Sequence, residues 1–326
     1  LQTFSFARFE ALFINPVKDI NDVYALYDIY IDKLKSQGSI KTAIGYNTAL
    51  NSLKRYRSKL SFLDITPHFL RSYQNWLIES GKSITTVGIY LRYLRSIYNE
   101  AISRGIRNKD VDYPFGKRKY VIPTGKNVKK ALRKEQIKAI FEYQTTNEAE
   151  DKARDFWIFS YLCNGINFKD IALLKWKNLD GDYLRFERAK TVHSLQGNPI
   201  IISCYLTKPA QLIIEKWSTK GSNPGDFIFP ILDKGDTLIK QQAKIDQFIK
   251  NTNKYIKRIA EVLEISIKVT TYNARHSHAT ILKKSGASLE HIRESLGHNN
   301  IRTTQHYLGS FDDETKQELA KALINF

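Results

Sequence analysis

The feature that most restricts this chain is an interruption near its middle. Between Gly116 and Lys134 it carries eight basic residues and no acidic one, with Pro123 and Gly125 among them. Like charges repel, and Pro and Gly interrupt regular structure, so this stretch is expected outside any packed core. Cutting 326 residues there leaves two bodies, each long enough to bury a core of its own. The expected boundaries are 1–115 for an N-terminal body, 116–130 for a basic linker and 131–326 for a C-terminal body. A strap lying across a phosphate backbone and a solvated flexible connection fit the linker equally.

From Asp19 to Gly105 the apolar residues recur at helical spacing in four segments. The first turns Val23, Leu26, Tyr27, Tyr30, Ile31 and Leu34 to one side, and Gly38 stands where a left-handed C-terminal cap is wanted. A second runs from about Ser39 to Lys59. The third begins with Thr66 as N-cap and Pro67 in the first turn, buries Phe69, Leu70, Tyr73, Trp76 and Leu77, and stops at Gly81. The fourth, about Thr85 to Arg104, sets Val87, Tyr90, Leu91, Leu94, Tyr98 and Ala101 on one face and Arg92 and Arg95 on another.

After Ala131 the pattern is mixed. Helices are predicted near Lys134 to Tyr143, Lys152 to Cys163, Phe168 to Trp176, Lys208 to Trp217, Ile239 to Leu263, Asn273 to Ser285, Leu289 to Leu296 and Asp313 to Ile324. Tyr183 to Glu187, Ala189 to Val192 and Pro199 to Ser203 read as a small antiparallel sheet, with Gly197 and Asn198 as turn residues.

Charge then narrows the partner. A formal net charge of +18, from 51 Lys and Arg against 33 Asp and Glu, points to a polyanion. No apolar run approaches the roughly 18 residues of a spanning helix, which favours nucleic acid over a membrane. Cys163 and Cys204 both sit in apolar segments without metal-ligand spacing, so a disulfide framework is not expected and a reducing cytoplasm is the natural compartment. The chain begins at Leu1 without a Met and is read as lacking upstream residues.

The most informative stretch is Thr270 to Tyr307. It holds Ala-Arg-His-Ser-His-Ala-Thr (274–280), Ser-Leu-Gly-His (295–298) and Thr-Thr-Gln-His-Tyr (303–307). Arg275-His276, then Leu296-Gly297-His298, then a Tyr nine residues after that His, together resemble the signature of tyrosine recombinases and phage integrases. The turn Tyr113-Pro114-Phe115-Gly116 further resembles integrases of mobile elements from Bacteroides-like bacteria. The resemblance implies a mainly α-helical fold with a small antiparallel sheet in the catalytic domain, in two domains forming a C-shaped DNA clamp. Residues 1–115 would be a SAM-like core-binding domain and 131–326 the catalytic domain.

That chemistry suits these residue types. Breaking a phosphodiester without water or metal needs a nucleophile that can also leave, and a phosphotyrosine conserves the bond energy for religation. Fixed cationic donors must meet the charge that develops on the phosphate oxygens. The resemblance implies that Tyr307 is the nucleophile, that Arg275 and His298 hold the scissile phosphate, that Lys190 protonates the leaving 5′ oxygen, and that Asp170 supports the site from behind. His276 and His278 are expected to pack. Lys41, Arg92, Arg95, Lys117, Arg118 and Lys119 are the expected DNA contacts.

Two positions depart from the family pattern. Asn167 stands where a first Arg is expected, and Tyr272 where a His is expected, three residues before Arg275. Asn167 donates a hydrogen bond without charge, and losing one phosphate clamp costs several kcal/mol of transition-state stabilisation, on the order of 3. Tyr272 can still donate through its hydroxyl. Strand periodicity turns Arg188 to the side of Lys190, so Arg188 is a candidate substitute clamp; an exposed strand charge in a cross-strand pair is the alternative.

The resemblance further implies double-stranded DNA as substrate, four protomers exchanging strands through a Holliday junction, no cofactor or metal, and accessory DNA-bending proteins. A helical C-terminal segment, Phe311 to Phe326, would dock on a neighbouring protomer or on its own domain. The rivals are a degenerate, DNA-binding relative, suggested by Asn167 and Tyr272, and a topoisomerase, which usually keeps both Arg residues. Joint retention of Tyr307, Arg275, His298 and Lys190 favours the active recombinase.

Overall fold

The computed structural model describes residues 21–125, 131–189, 200–221, 223–308, 317, 320 and 321, apart from the side chains of Asp112, His306, Tyr307 and Leu308. It divides into two compact units, Leu1–Asn127 and Val128–Phe326.

In the first unit four amphipathic helices share one core: α1 (Val23–Ser36), α2 (Ile40–Tyr56), α3 (Pro67–Glu79) and α4 (Ile84–Ser103). Their starts are fixed locally. Asp22 accepts from the Tyr24 amide at 2.8 Å, Thr66 from that of Phe69 at 3.2 Å and Ser83 from that of Thr86 at 3.2 Å, each satisfying an N–H that the helix itself cannot. Gly38 takes the expected left-handed conformation at φ +72°. The inward stripe of α4 is Val87, Leu91, Leu94, Ile97, Tyr98 and Ala101, all buried, while Arg92 and Arg95 are exposed. A short helix, α5 (Lys109–Asp112), was not evident in the pattern.

The start of the basic segment departs from expectation. Phe115 and Tyr120 are buried in the helical core, the Tyr120 hydroxyl donates to Gln74 Oε1 at 2.6 Å, and the Tyr120 amide donates to the Pro114 carbonyl at 3.1 Å. A Cβ placed on Gly88 would come within 2.4 Å of the Pro123 carbonyl oxygen, so the chain beyond the turn lies against α4. Two aromatic anchors among the lysines supply enough apolar burial to hold this stretch to the first unit, which charge counting alone did not reveal. Lys117, Arg118 and Lys119 stay exposed at its tip.

The second unit contains α6 (Lys134–Glu142), α7 (Glu148–Leu162), α8 (Phe168–Leu173), α9 (Lys208–Trp217), α10 (Leu238–Val262), α11 (Thr271–Lys284), α12 (Leu289–Ser295) and α13 (Ile301–Leu308). The expected helix to Trp176 ends at Leu173 and is followed by a 3₁₀ turn, Trp176–Asn178. The antiparallel sheet runs β1 (Leu179–Asp180), β2 (Tyr183–Glu187), β3 (Ile201–Tyr205), with Leu184 opposite Cys204 and Phe186 opposite Ile202. Strand β1 was not expected, whereas the expected Ala189 to Val192 strand lies, apart from Ala189, outside the described residues. The predicted helix Asp313 to Ile324 lies almost entirely outside them as well.

Helix α7 is the spine of this unit, packed by α10, α11 and α9. Trp157 is fully buried, and its indole N–H donates to the Thr270 carbonyl at 3.1 Å, which seats the start of α11 on α7. Ser277, also fully buried, accepts from the Leu132 amide at 2.9 Å. Both interactions fix the helix that carries Arg275.

Candidate functional site

The site is assembled by close backbone approach. At the end of α7, Asn164 and Gly165 adopt left-handed conformations (φ +53° and +60°), and a Cβ on Gly165 would lie 2.9 Å from Arg275 Cγ and 3.0 Å from its Cα. Glycine is therefore required for α11 to come this near. The Gly165 carbonyl accepts from Arg275 Nη1 at 2.8 Å, and Asn164 donates to the Ser203 carbonyl at 3.0 Å, tying this loop to β3.

Arg275 is 2% exposed. Its Nη2 donates to the Leu296 carbonyl at 2.5 Å and stands 3.2 Å from His298 Nε2. Arg188, just beyond β2, is 8% exposed. Its Nη1 donates to the same Leu296 carbonyl at 3.3 Å and to that of Gly297 at 3.0 Å. The exposed cross-strand alternative for Arg188 is thereby overturned: in the alternation of Leu184, Phe186 and Arg188, the arginine follows the buried face. Gly297, at φ +59°, makes room for it, since a Cβ there would meet Arg188 Cδ at 2.8 Å and Ile202 Cδ1 at 2.6 Å.

Asp170, on α8, lies behind the two guanidinium groups. Its carboxylate accepts from the Ala189 amide at 2.9 Å and from Asn167 Nδ2 at 3.3 Å. Burial raises its pKa, opposed by those two hydrogen bonds and by the charges of Arg188 and Arg275. Asn167 thus already spends a donor on Asp170. His298 is buried, with Nδ1 3.0 Å from the hydroxyl of Thr304, which is fully buried on α13. Helix α13 packs on both α11 and α12 and carries Tyr307 in its last turn.

The remaining expected residues are more dispersed. Tyr272 is exposed, its ring edge-on to His276 with centroids 4.7 Å apart. His278 packs as expected, its Nδ1 2.9 Å from the Tyr161 carbonyl, and burial lowers its pKa to about 4. Lys190 and the side chain of Tyr307 lie outside what is described. Lys41, on α2, is exposed along with Arg92 and Arg95 on α4. Two participants were missed from sequence: the Leu296 carbonyl, which leaves no side-chain signal, and Thr304, one helical turn before Tyr307, where the spacing was a usable one.

Comparison with known proteins shows the family of the chain. The description "Phage integrase SAM-like domain" matches residues 22–120 and "Phage integrase family" matches residues 130–314. Tyrosine recombinase XerC of Halalkalibacterium halodurans is 25% identical over 308 residues, covering 88% of this chain and 92% of its own. The ICEBs1 integrase of Bacillus subtilis is 22% identical over 281 residues, covering 82% and 73%. A crystal structure of a lambda integrase tetramer bound to a Holliday junction shares the fold, with TM-score 0.62, 16% identity, and coverage of 94% of this chain and 86% of that one. With the catalytic description matching more than half its length, the chain belongs to the phage integrase family.

Proposed function

We propose that this protein is a site-specific tyrosine recombinase that cleaves and rejoins DNA through a 3′-phosphotyrosine intermediate. The observation that carries the reading is the meeting of Arg275, Arg188 and His298 around the Leu296–His298 turn, with the helix bearing Tyr307 packed on the same elements.

In this reading the Tyr307 hydroxyl oxygen attacks the scissile phosphorus and gives up its proton to solvent, the bond to the 5′ oxygen breaks, and Lys190 supplies the proton that the leaving oxygen takes up. Arg275, Arg188 and His298 stabilise the charge on the non-bridging oxygens. Tyr272 adds a hydroxyl donor from the exposed side. Asn167 and Asp170 act from behind, Asp170 by holding the Ala189 amide beside Lys190. Residues 1–115, with the start of the basic stretch packed on them, bind the core site through Lys41, Arg92, Arg95, Lys117, Arg118 and Lys119 on its phosphates, the rest of 116–130 connects, and residues 131–326 carry the chemistry. Four protomers on two duplexes, as in the tetramer on a Holliday junction seen for lambda integrase, would exchange strands in two steps, aided by accessory DNA-bending proteins. A mobile element of Bacteroides-like bacteria, and action on the nucleoid in the cytoplasm, complete the proposal; no helix among the described residues is long and apolar enough to cross a membrane.

The test is incubation with a nicked duplex carrying a candidate core site, followed by denaturing electrophoresis. The parental protein yields a covalent adduct, and Tyr307→Phe yields none while retaining its DNA affinity, because one hydroxyl is removed from a mainly phosphate-binding surface. An adduct that survives in Tyr307→Phe refutes the assignment.

A further inference from the structure

His298 is held from both sides of its ring, and the two interactions differ in kind. A guanidinium only donates, so at 3.2 Å from Arg275 Nη2 the His298 Nε2 is an acceptor and bears no proton. The proton of the neutral ring therefore sits on Nδ1, which faces the Thr304 hydroxyl oxygen at 3.0 Å. Thr304 is 0% exposed, so water does not compete for that hydrogen bond. Among the described residues, the other charged groups near the turn are Arg188 on its carbonyls, Arg293, whose Nη1 is 3.5 Å from the His298 carbonyl, and Asp170 behind the arginines.

We infer that Thr304 is a positioning residue that anchors the Nδ1–H of His298, whose tautomer Arg275 sets, and couples the orientation of that imidazole to the seating of the helix that carries Tyr307. The inference rests on the recombinase reading for its functional consequence, though not for its chemistry. With Nδ1–H anchored, Nε2 is the ring nitrogen held beside Arg275. When a phosphate oxygen arrives, Arg275 can turn its Nη2 donor to it, and Nε2, taking up a proton from solvent, can donate to the same oxygen without the ring turning. Thr304 stands three residues before Tyr307 on α13, one helical turn away. A displaced α13 therefore withdraws the nucleophile and releases the histidine together, so no half-assembled site would attack DNA.

The experiment uses the whole chain, ¹⁵N-labelled at its seven histidines, with the His298 ring signals identified by their loss in His298→Gln. Without DNA, the parental ring should be protonated at Nδ1 and bare at Nε2. Thr304→Val, of nearly equal volume, should shift the Nδ1–H signal by removing its hydrogen bond, leave the tautomer to Arg275, and slow adduct formation on the nicked duplex about ten-fold or more, the effect of one hydrogen bond to a group that becomes charged. Thr304→Ser, which keeps the hydroxyl, should restore the parental Nδ1–H signal and most of the rate. A merely structural role would leave the ring signals alone. The inference is overturned by an unchanged Nδ1–H signal in Thr304→Val, or by a changed signal with parental cleavage. If Thr304→Val does not fold, a parental ring protonated at Nε2 is enough to overturn it. A parental protein that forms no adduct refutes the recombinase reading instead, and the Nδ1–H signal still decides Thr304.

Discussion

Arg188 and Arg275 donate to one and the same acceptor, the Leu296 carbonyl, at 3.3 and 2.5 Å. They come from different elements, the end of β2 and the middle of α11, separated by 87 positions in the chain. Two guanidinium groups brought to one carbonyl oxygen are held close against their mutual repulsion, with Asp170 as the nearby carboxylate.

The first prediction follows from that pairing. Arg188→Ala should slow cleavage of the nicked duplex by roughly 10² or more while barely changing DNA affinity. Asn167→Arg should partly rescue it, a non-additivity read from a double-mutant cycle of single-turnover rates. Cleavage by Arg188→Ala at the parental rate would show that Arg188 is no clamp.

The glycines beneath the arginines make a second prediction. Gly297→Ala places a Cβ against Arg188 Cδ and Ile202 Cδ1, in a left-handed conformation that alanine resists. It should lower stability by about 1–3 kcal/mol and slow cleavage by displacing Arg188. Gly165→Ala should do the same through Arg275, whose backbone lies 3.0 Å from the added carbon. Thermal melting with adduct kinetics checks both, and parental values for either variant would contradict the close packing.

Linkage of His278 to folding gives a third. Its Nδ1–H donates to the Tyr161 carbonyl, its Nε2 has no partner among the described residues, and burial holds its pKa near 4 against an ordinary 6.5. The unfolded chain binds the proton more readily, so this histidine's contribution is fully present above pH 6.5 and is lost as pH falls towards 4. The loss amounts to about 3 kcal/mol at most. His278→Gln, which keeps a donor but cannot titrate, should show a shallower fall of Tm over that window; equal slopes would exclude the assignment.

A fourth concerns the basic turn. Lys119 Nζ donates to the Tyr113 carbonyl at 2.6 Å, so Lys117 and Arg118 are better placed to neutralise phosphates. Replacing both with Ala should reduce the slope of log affinity against log salt by roughly 0.9 for each phosphate that is no longer neutralised. Adding Lys119→Ala should change the slope less and destabilise the turn. A slope that stays parental in the double variant would remove this turn from the DNA interface.

Sequence alone determined the helices of the first unit, because their caps and apolar stripes are local: Thr66 caps Phe69 and Val87 to Ala101 line one face whatever lies across from them. It also determined the family, since Arg275, His298 and Tyr307 keep their order and spacing within 33 residues. What only the tertiary structure decided are relations between distant segments. Tyr120 had to meet Gln74, 46 positions away, before the start of the basic stretch could be seen as part of a core. Arg188 had to meet Leu296, 108 positions away, before it could be told from an exposed strand charge. Periodicity reports which face of an element is buried; the atom that waits on the other side of that face, here a backbone carbonyl and the Thr304 hydroxyl, is supplied by the fold.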